Sequence, residues 1–192
     1  YLDFFLNTGF PDYEALIPSK MYWNRGGKKF SDITTAGGFG HLQKGHGVAF
    51  ADLDRDGDQD VFAEMGGAFP GDAFGNALFR NPGFGNHWLR LTLVGQESNR
   101  SAIGARLCAH LTEGEAARAV WRDVNSGGSF GSNSLTQHLG IGKATQVDRL
   151  DILWPSGKVQ TFRDLAADQQ LRIVEGQDKA EQVTELRLKL GG

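Results

Sequence analysis

Cysteine is nearly absent from this chain of 192 residues: Cys108 stands alone, which excludes an internal disulfide framework and leaves the redox compartment open. Long apolar runs are missing as well, so no segment reads as a membrane span. There is no basic patch of the size that nucleic acid requires, and the net charge of −3 runs against such a partner. The chain also lacks a G-x-S-x-G elbow, a His-rich metal spacing and a phosphate-cradling glycine loop, the sequence marks of three large classes of enzyme. No charged stretch, apolar stretch and cleavage site precede "YLDFFLNTG", so the first residue is expected to lie inside a longer parent.

What the chain has is glycine, 27 residues of it against 5 prolines, placed between short apolar stretches rather than in a low-complexity tract. That pattern predicts many short strands joined by tight turns. With 40% hydrophobic residues the chain can bury one good core or two small ones. An internal repeat runs through its first part: "LDFFLNTG" from Leu2 aligns with "QDVFAEMG" from Gln59, which matches Asp3 to Asp60, Phe5 to Phe62 and Gly9 to Gly66. At the same offset Asn24 falls on Asn81 and Gly26 on Gly83. A period of this length built of strands and turns predicts propeller blades or solenoid units, with one full unit and the edges of two others present. Units of that kind bury their faces against neighbours, so further units are expected upstream.

The densest chemistry lies in "ADLDRDGDQDVF". Asp52, Asp54, Asp56 and Asp60 occupy positions 1, 3, 5 and 9 of a D-x-D-x-D-G-x-x-D pattern, with Gly57 at the sharp turn and Asp58 at position 7, where a backbone carbonyl serves. Bare carboxylates crowded together repel, and a hard divalent cation that accepts six to eight oxygens removes the repulsion. Calcium suits this donor set better than magnesium, which keeps its water. An EF-hand would need glutamate at position 12, where Ala63 stands, and the flanks "GVAF" and "DVF" alternate as strands do. The plainer alternative is a solvated acidic turn. By the repeat, Asp3 would be the last ligand of a preceding loop.

The stretch "NRGGKKFSDITTAGGFGHLQKGHGVAFADLDRDGDQDVF" resembles the FG-GAP or VCBS type of repeat, in which a propeller blade carries a calcium loop between its strands. The resemblance covers about residues 1–85. It implies that Asp52, Asp54, Asp56, Asp58 and Asp60 are metal ligands and that the ion holds the blade rather than catalysing a reaction.

After "GNHW" the pattern changes. "HWLRLTLVG", "IGARLCAHL", "ARAVWRDV", "SLTQHLGIG", "VDRLDILWPSG", "KVQTFRDL" and "QLRIVEG" read as seven short strands at the spacing of an all-β sandwich or barrel. "WPSG" reads as a turn that sets Trp154 opposite Val159. In order and spacing, "NHWLRLTLVG", "SNRSAIGARL", "GGSFGSNS", "HLGIG" and "LDILWPSGKVQ" resemble the ASPIC/UnbV domain that follows FG-GAP repeats in the cartilage acidic protein-like family. The resemblance covers about residues 86–176 and implies a secreted, periplasmic or cell-surface β protein that binds a partner. The fold expected is therefore all-β: a propeller fragment of about one blade plus edges, an antiparallel β-sandwich, and a tail over 177–192 that can add a strand.

Other residues invite sharper readings. Ser134, His138 and Asp123 can be imagined as a nucleophilic trio, and His46 lies near the acidic turn, but sequences supply such sets readily. Ser98, Asn99 and Arg100 form the most distinctive polar cluster of the second half. A turn in which Ser98 or Asn99 bonds backbone and Arg100 meets a carboxylate is weighed there against ligand contact. Cys108 is expected to be a small buried hydrophobe rather than a reactive thiol. Trp121 and Phe130 could present an aromatic platform to a sugar, with core packing the commoner fate of such residues.

Two functions of different class follow. One is a non-enzymatic, calcium-binding extracellular module for protein interaction or adhesion. In it Ca²⁺ acts as a structural staple, whose removal loosens first the blade and then its junction with the sandwich. The other is a glycan-binding or accessory domain of a secreted enzyme. Extracellular calcium modules bind with Kd of about 10⁻⁴ to 10⁻³ M, which places the chain outside the cytosol.

Overall fold

A computed structural model describes the chain apart from residues 11, 13, 15, 129–133, 185, 187 and 189–192. The described residues form fourteen β-strands and no helix, so no helix is long and apolar enough to cross a membrane. They fall into two compact units. The first comprises residues 1–51, 59–81 and 127–132; the second comprises 52–58, 82–126 and 133–192.

The first unit contains two three-stranded antiparallel meanders. β1 (Phe4–Leu6), β2 (Lys20–Asn24) and β3 (Phe30–Asp32) make one, and β4 (Gly45–Ala51), β5 (Asp60–Met65) and β6 (Ala77–Phe79) make the other. The repeat seen in the sequence is a repeat of register. Phe4 pairs with Tyr22 and Phe5 with Met21, just as Val61 pairs with Phe79 and Phe62 with Leu78. The side-chain bonding repeats too: Asp3 Oδ1 accepts the Asn24 amide at 2.7 Å, and Asp60 Oδ1 accepts the Asn81 amide at 2.8 Å. Asp3 thus closes a turn in the same way as Asp60.

The two sheets bury opposite faces. Phe5 is buried while its repeat partner Phe62 is exposed; Val61 and Ala63 are buried while Phe4 and Leu6 are exposed. One shared core explains this, because Phe5 and Met21 from the first sheet meet Val61, Ala63 and Met65 from the second, with Phe39, Phe50 and Phe79 packed around them. Sheets stacked in series must each offer different faces to different neighbours, so equivalent positions need not share burial.

The second unit is a sandwich of two four-stranded sheets. β7 (His87–Val94), β8 (Arg106–Glu113), β9 (Ala116–Asp123), β10 (Gln137–Gly142), β11 (Gln146–Leu153), β12 (Val159–Ala166), β13 (Gln169–Val174) and β14 (Glu181–Val183) are arranged as β10-β7-β13-β14 and β12-β11-β8-β9. Every pair is antiparallel except β7 with β13, which run parallel. All seven strands expected from the alternation are present, and β14 is an added short strand at the start of the tail. Leu89, Leu91, Leu139 and Ile173 from one sheet face Leu107, Leu111, Leu150 and Ile152 from the other, all fully buried or nearly so. Period-2 side chains make this inevitable: with one face of each strand committed to the core, Trp88, Arg90 and His138 fall on the other.

Two local expectations are corrected. Val159 pairs with Leu153, not Trp154, and is exposed. Trp154 instead turns into the core and donates its indole N–H to Gln160 at 2.9 Å, since a buried indole needs an acceptor. Trp121 is 64% exposed rather than packed, because β9 is an edge strand whose outer face carries it. Phe130 and most of "GGSFGSNS" lie outside the described residues.

Candidate metal centre

The turn between β4 and β5 is folded by its own carboxylates. Asp52 Oδ1 accepts the amide of Asp56 and Asp52 Oδ2 that of Gly57, each at 3.0 Å, and Asp56 Oδ1 accepts the amide of Asp58 at 3.0 Å. Short side chains that bond backbone amides two to five residues on are what tighten such turns. Gly57 takes φ +100°, which an L side chain rarely adopts, and Arg55 is also left-handed at φ 59°.

The result is convergence. One ligand atom from each of Asp52, Asp54 and Asp56 lies within 4.8 Å of the other two, the group among the described residues best placed to hold a metal ion. Asp58 and Asp60 stand outside that group; Asp58 bonds Asp56 through its amide, and the Asp60 carboxylate takes the Asn81 amide. All three convergent donors are hard carboxylate oxygens, which suits a divalent cation of the same character. Among the described residues no histidine or cysteine joins this group of three, so nothing in the donor set favours a softer ion.

The turn sits among residues of the β10-β7-β13-β14 sheet, of which sequence reasoning singled out His138, in another role, but neither Arg90 nor Trp88. Arg90 Nη1 lies 3.3 Å from Asp52 Oδ2, with side chains 12% and 1% exposed. The Arg90 guanidinium is 5.1 Å from the centre of the Trp88 ring, and Trp88 stacks on His138 at 5.9 Å and 16°. A Cβ added at Gly57 would fall 1.8 Å from Trp88 Nε1, so the indole occupies the room that the missing side chain leaves. Burial raises the Asp52 carboxyl above the usual range, although Arg90 and the two amides act against it. Burial also pushes the His138 imidazole down to about 4, helped by the positive charges of Arg90 and Arg122. The tail reaches the same turn, where the Leu188 amide donates to the Asp54 carbonyl at 2.7 Å.

The other residues considered from sequence are committed elsewhere. Asn99 closes its own turn, donating to the Ile103 carbonyl and accepting the Ile103 amide at 2.8 and 2.9 Å, and Arg100 is exposed. Ser98 belongs to a cradle built on Glu175, which was not foreseen. That carboxylate, 4% exposed, accepts the amides of Gln96, Glu97 and Ser98 and the hydroxyls of Ser98 and Ser156. Burial alone would raise it, but Ser156 and the Ser98 and Gln96 amides outweigh burial and hold it down to about 2. The cradle ties the "SNRS" turn to the "WPSG" turn, a structural use of both motifs.

The imagined trio does not assemble. Ser134 Oγ accepts the Thr136 amide, Asp123 pairs with Arg106 at 2.9 Å, and His138 is stacked on Trp88. His46 Nε2 lies 2.6 Å from the Gly66 carbonyl. Cys108 is buried, 3.3 Å from His110 Nε2, and burial and then Asp151 push its thiol up, against Arg149. This is the environment of an inert thiol.

Comparison with protein families matches a model of FG-GAP-like repeats to residues 1–63 and a model of ASPIC and UnbV to residues 95–180. Comparison with curated proteins returned no match.

Proposed function

The chain joins an FG-GAP-like repeat to an ASPIC and UnbV domain, and we propose that it is a calcium-stapled, non-enzymatic interaction module working outside the cytoplasm. The observation that carries the reading is the convergence of Asp52, Asp54 and Asp56 on a turn already held by its own amides. Asp58, through its carbonyl, and Asp60 complete the ligand set this reading assigns. The ion neutralises crowded carboxylates and fixes the turn; it supplies rigidity and no chemistry. A protein partner is the natural occupant of a rigid β surface of this kind, whether in adhesion or in a larger surface assembly. Calorimetric titration with calcium tests it: the intact protein gives a saturable isotherm, and the Asp54→Ala, Asp56→Ala double variant gives none. A flat isotherm for the intact, folded protein would defeat the reading.

A second reading has one observation of its own. Trp121 is 64% exposed on a sheet face, in one cross-strand row with Cys108, Asp151 and Thr161, and next to the His110, Asp151 and Arg149 cluster. An open indole beside hydrogen-bonding side chains suits the apolar face of a sugar ring. A glycan screen that finds a ligand lost on Trp121→Ala, with calcium binding intact, favours this glycan-binding alternative.

A further inference from the structure

We infer that Arg90 is the resident counter-cation of the aspartate turn and sets how tightly that turn takes a divalent ion. The inference rests on the calcium reading above and concerns a residue outside the D-x-D-x-D-G pattern.

Asp52 stands at position 1 of the pattern, yet its carboxylate is already compensated. Two backbone amides and the Arg90 guanidinium share its two oxygens, at 3.0, 3.0 and 3.3 Å. The pair is shielded from water, its side chains 1% and 12% exposed, so its attraction is screened far less than that of a surface ion pair. Arg90 has little freedom to leave. Its neighbours Leu89 and Leu91 are fully buried in the sandwich core, His138 and Gln170 flank it in register on either side, and its guanidinium lies over Trp88. A guanidinium does not lose its proton in a protein, so the positive charge is permanent.

Two effects follow from one charge. Without a divalent ion, Arg90 offsets part of the repulsion among Asp52, Asp54 and Asp56 and keeps the turn folded. With one, the same charge repels the arriving cation and weakens its binding. The turn is thereby preformed and of moderate affinity, where three uncompensated carboxylates would make it tight but dependent on its ion for shape.

The experiment is calcium titration by calorimetry on the full chain, paired with thermal melts in chelator, for the wild type, Arg90→Met, Arg90→Gln and Arg90→Lys. Methionine keeps the aliphatic stem, and glutamine keeps a hydrogen-bond donor should the methionine variant fail to fold. Removal of the charge is expected to tighten calcium binding by about tenfold, for one unit charge acting at short range in partly screened surroundings. It is also expected to lower the melting temperature in chelator. Arg90→Lys is expected to stay near the wild type in affinity. If the wild type binds and the neutral variants, folded, bind equally or more weakly, Arg90 is only a seat for the turn and the inference fails alone. If the intact wild type does not bind calcium, the inference falls together with the reading beneath it.

Discussion

The indole of Trp88 fills the space in which a side chain at Gly57 would lie: a Cβ built there sits 1.8 Å from Nε1 and 2.4 Å from Cδ1. Gly57 is also at φ +100°, so two independent constraints select glycine at one position. Gly57→Ala is therefore expected to cost about 2–4 kcal/mol, the sum of left-handed strain and a displaced aromatic ring. Gly26→Ala is the comparison, because Gly26 is left-handed at φ 66° with nothing within 4 Å of its added Cβ; it should cost only about 1–2 kcal/mol. Urea midpoints measured on both variants check the difference.

Glu175 holds two turns with five hydrogen bonds. Glu175→Gln replaces an acceptor-only group with one that carries two donors, and it confronts buried N–H groups with N–H. The expected loss is about 2–4 kcal/mol in chemical denaturation. Glu97→Gln, which removes an exposed ion pair with Lys158, should cost less than about 1 kcal/mol. The Glu175 carboxyl lies below its unfolded value, so its contribution is complete above about pH 4.5 and is lost as pH falls toward 2.

His138 gives a pH dependence in a different window. Its folded value is about 4 against 6.5 for an ordinary histidine, so between those values the unfolded chain binds a proton that the folded chain does not. Stability contributed by this group is complete above pH 6.5 and falls as pH is lowered toward 4, by roughly 3 kcal/mol. Arg90 and Arg122, which face it, keep their charge throughout that range. The stability difference between wild type and His138→Phe, measured at several pH values, should change across this window and level off on either side.

Cys108 should behave as a packing residue. Buried at 5% exposure with its thiol pushed up, it is expected to react with a thiol reagent only as the protein unfolds. Labelling rates followed along a urea titration test this, and prompt reaction in native buffer would contradict it.

Much of the architecture is legible in the sequence because it rests on periodicity. The 57-residue offset that aligns Asp3 with Asp60 reappears as identical strand register and as the paired Asp–Asn bonds, since both are local consequences of the same residues. The seven sandwich strands follow from alternation in the same way. Alternation, however, tells which face a residue occupies, not what covers that face. For that reason it could not distinguish Trp121, open on an outer face, from His138, enclosed on another. Arg90 and Glu175 escaped notice for a related reason: their partners lie far along the chain, 38 residues away for Arg90 and 19 and 77–79 for Glu175. A charged residue between two leucines in the middle of a strand, as in "WLRLTL", is the signal that could have marked Arg90.

The most direct test of the account is a thermal melt of the intact chain in 2 mM calcium and in chelator, beside the Asp54→Ala, Asp56→Ala double variant and a magnesium control. With Kd of about 10⁻⁴ M, linkage gives close to ~2 kcal/mol of stabilisation, a rise of roughly 4–7 °C for a chain of this size. The account predicts that rise in calcium, a smaller one in magnesium, and none in the double variant. Superimposable melts of the intact protein with and without calcium would contradict it and reduce the aspartates to an acidic turn.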